Sequence, residues 1–256
     1  MQNFLQEIIL NNVFAFTLIL TRIGTIISIM PGIGDSFVPR NVRVLFAVAI
    51  SFILMPVVAL NITAPPASAI EFGILIISEA MIGIFIGLIM KLMLSALNVA
   101  GAVASVQSGL ANAMVFNPSE GAQGSIIGAI YSVMGITLVM ITDMHHYMLS
   151  TAAYSYKLFP TTEGMPDIGS MTEAISTTIN LAFRVGVEIA LPFIIVITLM
   201  HIGMGLLGRL MPQMQIFFVA IPIQLTLTIM ILMITVSYGV IYWLNEYENL
   251  LTTVFS

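Results

Sequence analysis

Six long apolar segments, separated by stretches rich in proline, glycine or polar residues, make up most of the 256-residue chain. A helix of about 20 apolar residues crosses a hydrocarbon core of ~30 Å, so each segment has the length of a span. The pattern predicts an all-α polytopic membrane protein with about six tilted or bent apolar helices. The predicted segments are residues 4–30, 42–60, 70–104, 125–142, 179–200 and 216–244.

The third segment is longer than a perpendicular span needs. At 1.5 Å per residue it would extend for ~50 Å. We therefore expect this helix to tilt, to bend or to project beyond the bilayer. The polar stretch from Asp143 to Thr178 contains Pro160, Pro166 and Gly169, and we expect its middle to be irregular.

The connection between the third and fourth segments, residues 101–128, is unusual because it is irregular and nearly uncharged. Glycines alternate with small polar residues, an apolar run follows, and Asn117-Pro118 breaks any helix. Such backbone is tolerated at membrane depth only against protein or beside a water-filled cavity. We predict a loop that lines or blocks a pathway, with an ordinary connecting loop as the alternative. The candidate residues are Gln107, Ser108, Gly109, Leu110, Met114, Val115, Phe116, Asn117 and Pro118.

Composition predicts a polytopic membrane protein or, as the alternative, a subunit almost wholly buried in a hydrophobic assembly. Hydrophobic residues make up 59% and charged residues 7%, and mean hydropathy is +1.08, whereas soluble domains carry about 25% charged residues. The absence of cysteine excludes disulfides and thiolate metal sites. No basic tract suggests nucleic-acid binding. The first residues, MQNFLQE, include no basic residue, which argues against a cleaved signal peptide.

Loop charge predicts the orientation. If all six segments cross, one side receives four basic residues and the other receives only Lys157. The positive-inside rule makes the first side cytoplasmic. Both termini and the stretch from Asp143 to Thr178 would then be extracytoplasmic. The four basic residues are Arg40, Arg43, Lys91 and Arg209.

Four charged residues, Arg22, Glu79, Arg184 and Glu188, fall inside apolar segments. Charges in spans are rare and usually face the interior of a helical bundle. Arg184 and Glu188 are four residues apart and can pair along one helix face, which favours a structural ion pair over transport chemistry. Arg22 and Glu79 could pair with each other, a point that the sequence leaves open.

Two Gly-x-x-x-Gly patterns, at Gly83–Gly87 and Gly124–Gly128, predict close helix crossings, although the pattern is common by chance in apolar sequences. His145-His146 beside Asp143 lacks the separated spacing typical of metal sites, so we expect a wetted polar pair and no metal. Ser108-Gly109 lacks the preceding glycine of intramembrane serine proteases. No phosphate-binding or paired-carboxylate motif is present. We expect neither enzyme activity nor a cofactor.

Four stretches resemble the FliR family, the T components of type III secretion export apparatuses, and the resemblance extends over essentially the whole chain. The four stretches are Leu20–Gly24 leading to Pro31–Gly34, Val38-Pro39 and Val42-Arg43, the E-x-x-x-G-x-x-x-G of Glu79–Gly87, the run Gly101–Pro118, and Gly208–Met214 followed by Phe217–Val219 and Pro222. Gln215 and Gln224 depart mildly from the asparagine and lysine usual in the family.

The resemblance implies a subunit of the flagellar export gate in the bacterial inner membrane, within the flagellar basal body. The implied partners are the P and Q components (FliP and FliQ), the B component (FlhB), membrane lipid and unfolded flagellar proteins as substrates. Residues 1–178 would be a P-like helical part with a plug loop at 106–123, and residues 179–256 a Q-like helical hairpin. Arg209, Pro212 and Gln213 would lie at the cytoplasmic tip of that hairpin.

The alternative within the family is the T component of a virulence injectisome. The Pro-Gln-Met-Gln hairpin and the overall length favour the flagellar assignment. A small-solute secondary transporter is a more distant alternative, because such transporters usually show internal repeats and none is visible here. An intramembrane protease is third.

Overall fold

The computed structural model describes residues 2–58, 62, 65–66, 68–109, 125–161, 166–210 and 216–255. Across these ranges every long regular element is an α-helix, which confirms the all-α prediction. The helices are α1 (Gln2–Ile29), α2 (Arg40–Val58), α3 (Ala69–Gln107), α4 (Ile126–Ile141), α5 (Met144–Leu158), α6 (Ile168–Leu210) and α7 (Ile216–Phe255).

Five of these helices are long and apolar enough to cross a membrane. A sixth span results if α4 and α5, which bend by 74° across a short break, count as one. The expectation of about six spans is therefore confirmed. The bounds of α1, α2 and α4 lie within a few residues of the predicted segments.

Three helices greatly exceed the thickness of a bilayer core. α3 has 39 residues, α6 has 43 and α7 has 40, so each extends for roughly 60 Å at 1.5 Å per residue. The predicted excess length of the third segment is confirmed. The segments predicted at 179–200 and 216–244 were too short, because hydropathy alone misses the polar turns by which α6 and α7 continue.

Asp167 sets the actual start of α6. Its carboxylate accepts hydrogen bonds from the backbone N–H groups of Gly169, at 3.1 Å, and Ser170, at 3.2 Å. These bonds lower the pKa of the Asp167 carboxyl below its ordinary value and satisfy donors of the first turn. The helix therefore begins ten residues before Thr178, where the sequence analysis ended its polar stretch. Much of that stretch is helical.

The chain forms two compact units. The first contains residues 1–92, 139–178 and 249–256, and the second contains residues 93–138 and 179–248. The predicted division into a P-like part (1–178) and a Q-like hairpin (179–256) is a statement about resemblance to other subunits of the apparatus. It stays a prediction.

Within the first unit, α1 packs closely against α3 at Gly83 and Gly87. A Cβ atom added to Gly83 would lie 2.6 Å from the carbonyl oxygen of Arg22, and one added to Gly87 would lie 2.9 Å from the Cβ atom of Ile29. Only glycine permits such an approach without a shift of the neighbouring helix. The close crossing predicted from this Gly-x-x-x-Gly pattern is confirmed.

Candidate functional site

A buried ion pair lies at the centre of the first unit. The Arg22 side chain on α1 is fully buried, and Glu79 on α3 is 2% exposed. Arg22 Nε donates to Glu79 Oε2 at 2.5 Å, and Nη2 donates to Oε1 at 2.9 Å. This two-pronged geometry matches the fork of the guanidinium to the two carboxylate oxygens. The structure thus joins two charges that the sequence left unassigned.

The remaining Arg22 donors face the C-terminal end of α5. Nη1 donates to the carbonyl oxygen of Ser155 at 3.1 Å, and Nη2 donates to that of Phe159 at 2.9 Å. The guanidinium carbon lies 4.1 Å from the centre of the Tyr156 ring. The last carbonyl groups of a helix lack intrahelical partners and carry partial negative charge, so a cation is favourable there.

Arg22 therefore connects three helices, α1, α3 and α5, through one side chain. The site is nearly neutral overall, because the Glu79 carboxylate balances the guanidinium and the α5 carbonyl groups occupy the other donors. A buried charge is tolerated only with such complete pairing. The arrangement leaves no guanidinium nitrogen without a partner, which is typical of a structural anchor.

The second predicted pair is of a different kind. Arg184 Nε lies 3.8 Å from Glu188 Oε1, with the two side chains 61% and 40% exposed. Glu188 also accepts a short hydrogen bond from the hydroxyl of Tyr242 on α7. Glu188 and Tyr242 border a cavity of about 450 Å³ that is otherwise largely apolar. The predicted pairing along α6 is present, but it lies at the surface of this chain.

In the second unit, Ser125 is the first described residue after positions 110–124 and directly precedes α4. Its hydroxyl donates to the carbonyl oxygen of Gly101 at 2.7 Å and accepts from the backbone N–H of Gly128 at 2.9 Å. The Ser105 hydroxyl lies 2.6 Å from it. Ser125 thus caps the N-terminus of α4 and ties it to the last turns of α3.

The same two helices touch backbone to backbone. A Cβ atom on Gly101 would overlap the main chain of Gly128 and lie 2.8 Å from the carbonyl carbon of Ile127. Asn98 Oδ1 accepts a hydrogen bond from the Ser132 hydroxyl at 2.7 Å, which extends the contact by one turn. We name Gly101, Ser105, Ser125 and Gly128 the loop base.

On the other side of positions 110–124, the described part of the chain ends with the C-terminus of α3. Gly109 has φ = +73°, the left-handed conformation in which helices commonly end. The side-chain amide of Gln224 on α7 donates to the carbonyl oxygen of Gln107 at 2.5 Å. This carbonyl has no partner within its helix, so Gln224 supplies one across 117 positions of sequence.

Several predicted residues fall outside the described part of the chain. Gln107, Ser108 and Gly109 are described and form the C-terminal end of α3. Arg209 lies in the last turn of α6. Those outside the described residues are Leu110, Met114, Val115, Phe116, Asn117, Pro118, Pro212 and Gln213.

Sequence reasoning missed Ser125, Gln224 and the α5 residues that complete the Arg22 site. Ser125 directly precedes an apolar run, which is a signal of a helix N-cap. Gln224 is an amide inside a predicted span, where polar side chains usually face the bundle interior. Ser155 and Tyr156 carry no comparable signal, because their contacts with Arg22 are set by the fold.

Among the described residues, one group of side chains has the chemistry and closeness to bind a metal ion. Asp143, His145 and His146 offer ligand atoms within 4.8 Å of one another. They lie at the bend between α4 and α5, on the surface of the first unit.

Comparison with known proteins decides the family. The profile of "Bacterial export proteins, family 1" matches residues 13–250. The chain belongs to this family. A flagellar biosynthetic protein FliR from Caulobacter vibrioides is 34% identical over 93% of this chain and 95% of its own length. The FliR protein from Bacillus subtilis is 26% identical over 87% of this chain and 86% of its own length. The FliR protein from Escherichia coli is 26% identical over 93% of this chain and 91% of its own length.

Membership of this export family accounts for the general character of the chain. With five or six apolar helices, it is a multi-pass inner-membrane protein of the flagellar export apparatus. The flagellar assignment is thereby favoured over the injectisome alternative, and the transporter alternative has no support from the comparisons.

Proposed function

We propose that the chain lines part of the flagellar export gate, through which unfolded flagellar proteins cross the inner membrane. Its partners would be FliP and FliQ within the gate and FlhB on the cytoplasmic side. The chain would have no catalytic activity of its own. Family membership supports the export role. The contacts of the loop base support the proposed mechanism, in which residues 110–124 block the channel.

The surfaces of three helices support assembly with other apolar partners. Only 17% of the α2 span, 22% of the α6 span and 11% of the α7 span is buried within the chain, against 44% for α3. Large side chains such as Phe52, Met233 and Tyr238 are 69%, 74% and 78% exposed. Lipid and the P and Q components would cover these faces, because large apolar surfaces are unfavourable in contact with water.

The loop base supports the plug hypothesis. Residues on both sides of positions 110–124 are bonded to their neighbours: the Ser125 hydroxyl donates to the Gly101 carbonyl of α3, and the Gln224 amide donates to that of Gln107. In this proposal the segment between these two anchors would be displaced by a passing polypeptide and then return. We propose that Met114, Val115 and Phe116 seal the pore against water and ions, because apolar constrictions gate by dewetting.

The other predicted residues take structural roles in this proposal. Arg22 and Glu79 hold the helices of the first unit in register, and Arg184 and Glu188 pair along α6. Arg209, Pro212 and Gln213 would form the tip of the hairpin near FlhB. Gly109 and Gly121 would supply the points about which the plug loop moves, whereas Gly101 lies within α3 and packs against Gly128, which does not suit a hinge.

The plug hypothesis predicts that deletion of residues 106–116 makes cells permeable to ions while the gate still assembles. A sharper version replaces residues 110–116 with a glycine–serine segment of the same length. It keeps Gln107, Ser125 and both anchors. The measurement is membrane potential, followed with a voltage-sensitive dye in cells that express the complete gate.

The matched control is the same replacement at residues 162–165, which lie between α5 and α6. It should leave membrane potential unchanged. If the plug replacement dissociated the complex and left ion permeability at the wild-type level, the loop would be a structural connection, and the plug hypothesis would be wrong.

The partners are tested separately by co-expression of a tagged chain with its genomic neighbours and native mass spectrometry of the purified material. A large complex that contains P-like and Q-like subunits is expected, and its mass gives the copy number. A monomer that recruits neither subunit would contradict the proposed assembly without bearing on the ion seal.

A further inference from the structure

We propose that Asp143, His145 and His146 form a binding site for a first-row divalent transition metal ion, with Zn²⁺ as the best fit. The proposal does not depend on the export function. Its basis is a carboxylate and two imidazoles gathered at the surface bend between α4 and α5. Two histidines and one carboxylate are a common protein ligand set for zinc, with the fourth position open to water.

The spacing of the ligand atoms suits a small cation. His146 Nδ1 lies 3.4 Å from Asp143 Oδ1. Two ligand atoms on a tetrahedral zinc ion, each ~2.0–2.2 Å from the metal, are themselves separated by about 3.3–3.6 Å. The largest separation within the group is below 4.8 Å, so a modest rotation of exposed side chains completes the geometry.

His145 has the outer contact that metal-binding histidines usually have. Its Nδ1 lies 3.4 Å from the backbone carbonyl oxygen of Val139, in the last turn of α4. We assign the Nδ1 proton to that carbonyl, which leaves Nε2 with a lone pair for the metal. A ligand histidine typically donates its second ring N–H to a carbonyl or carboxylate, which fixes the tautomer and the ring orientation.

Asp143 and His146 are three residues apart, a spacing that the first turn of a helix brings to one side. Asp143 has φ = +58°, the left-handed region, and directly precedes the first turn of α5. The rings of His145 and His146 lie 4.1 Å apart between centres. The sequence argument against a metal rested on the spacing of adjacent histidines, and this local geometry removes that objection.

Access and charge are also compatible with a bound cation. The Asp143 and His146 side chains are 76% and 70% exposed, so hydrated ions can reach them. The partial positive charge at the start of α5 disfavours a cation, but the Asp143 carboxylate and the Val139 carbonyl at the end of α4 offset it. A bound ion would hold the Asp143 side chain against the first turn of α5, next to the bend.

The test is Zn²⁺ binding by the purified full chain, with an affinity tag that contains no histidine. The metal is added as its chloride salt in competition with a colorimetric zinc chelator. One Zn²⁺ per chain is expected, and the single variants His145→Gln, His146→Gln and Asp143→Asn should each weaken binding at least about tenfold. Thermal unfolding without Zn²⁺ should be the same for all of them.

His201 provides the matched control. It is the third and last histidine of the chain, lies exposed on α6, and should tolerate His201→Gln with no change in Zn²⁺ affinity. X-ray absorption of the loaded wild-type chain should show two imidazole nitrogens around zinc. Binding that persists in the double variant His145→Gln/His146→Gln, or a zinc shell without imidazole, would overturn the proposal.

Discussion

Both units contain close helix contacts at glycines, but their interiors differ in how they use polar groups. The first unit contains a fully buried arginine whose donors are all engaged by Glu79 and the end of α5. The second unit brings its helices together where side chains are smallest, as at Gly101 against Gly128. Polar bonds there involve short hydroxyl groups such as that of Ser125.

The difference concerns how strictly each interior specifies its geometry. A guanidinium with a carboxylate and two carbonyl groups has one satisfactory arrangement, since any displacement leaves a buried charge or donor unpaired. Glycine and serine contacts tolerate small sliding movements but no added volume. We therefore expect the loss of a charge to affect the first unit most, whereas added atoms at the glycine contacts should affect both units.

The largest effect is expected for Glu79→Gln. This change leaves the Arg22 charge buried without a counter-charge, which costs about 3–5 kcal/mol, a large part of the ~5–15 kcal/mol that stabilises a typical protein. Thermal unfolding in detergent and the amount of protein in the membrane should both fall sharply. The double variant Arg22→Met/Glu79→Met should recover most of the loss.

The surface pair supplies the comparison for that experiment. Arg184→Met removes one partner of a pair that is 3.8 Å apart and largely exposed, so we expect less than about 1 kcal/mol. Equal losses for Glu79→Gln and Arg184→Met would show that burial of the charge does not distinguish the two sites.

A smaller effect is expected for Gly101→Ala. The added Cβ atom would overlap the backbone of Gly128, and the resulting shift should cost about 1–3 kcal/mol and loosen the loop base. Gly205→Ala is the control, because nothing lies within 4 Å of a Cβ atom there. It should stabilise the helix by about 0.5–1 kcal/mol. Opposite signs in thermal unfolding are the expected result, and a harmless Gly101→Ala would contradict the close contact.

The smallest effect is expected for Gln224→Leu. The change removes the donor for the Gln107 carbonyl, worth about 1 kcal/mol, or about 2–4 °C in unfolding temperature for a chain of this size. If the loop is a plug, ion permeability should rise as well. Thr226→Ala on the same helix removes only a bond within α7 and should leave permeability unchanged. Equal permeability in both variants would exclude Gln224 as an anchor of the loop.

Much of the architecture was predictable because hydrophobic length directly reports a membrane span. The bounds of α2 and α4, the excess length of α3 and the close crossing at Gly83–Gly87 all follow from local patterns. The start of α6 was missed because residues 168–178 are polar but still helical. The capping residue Asp167 marks the start of this helix, which hydropathy does not.

The polar contacts were less predictable because they depend on the fold. Arg22 and Glu79 are separated by 57 positions, and Arg22 and Ser155 by 133. Nothing in a single sequence specifies which distant carbonyl will face a guanidinium. Asp143, His145 and His146 were weighed from the sequence by their spacing alone, whereas the closeness of their ligand atoms is visible only in the structure.

The separation between Arg22 and its partners has a consequence during biosynthesis. At roughly 5–20 residues per second, Glu79 leaves the ribosome about 3–11 s after Arg22, and Ser155 about 7–27 s after it. Until then α1 carries an unpaired cation, which costs ~2.5–3.5 kcal/mol at the centre of an inserting helix. The leucines and isoleucines of α1 must outweigh that cost unaided. The residue that organises the finished unit is therefore synthesised before its partners on α3 and α5.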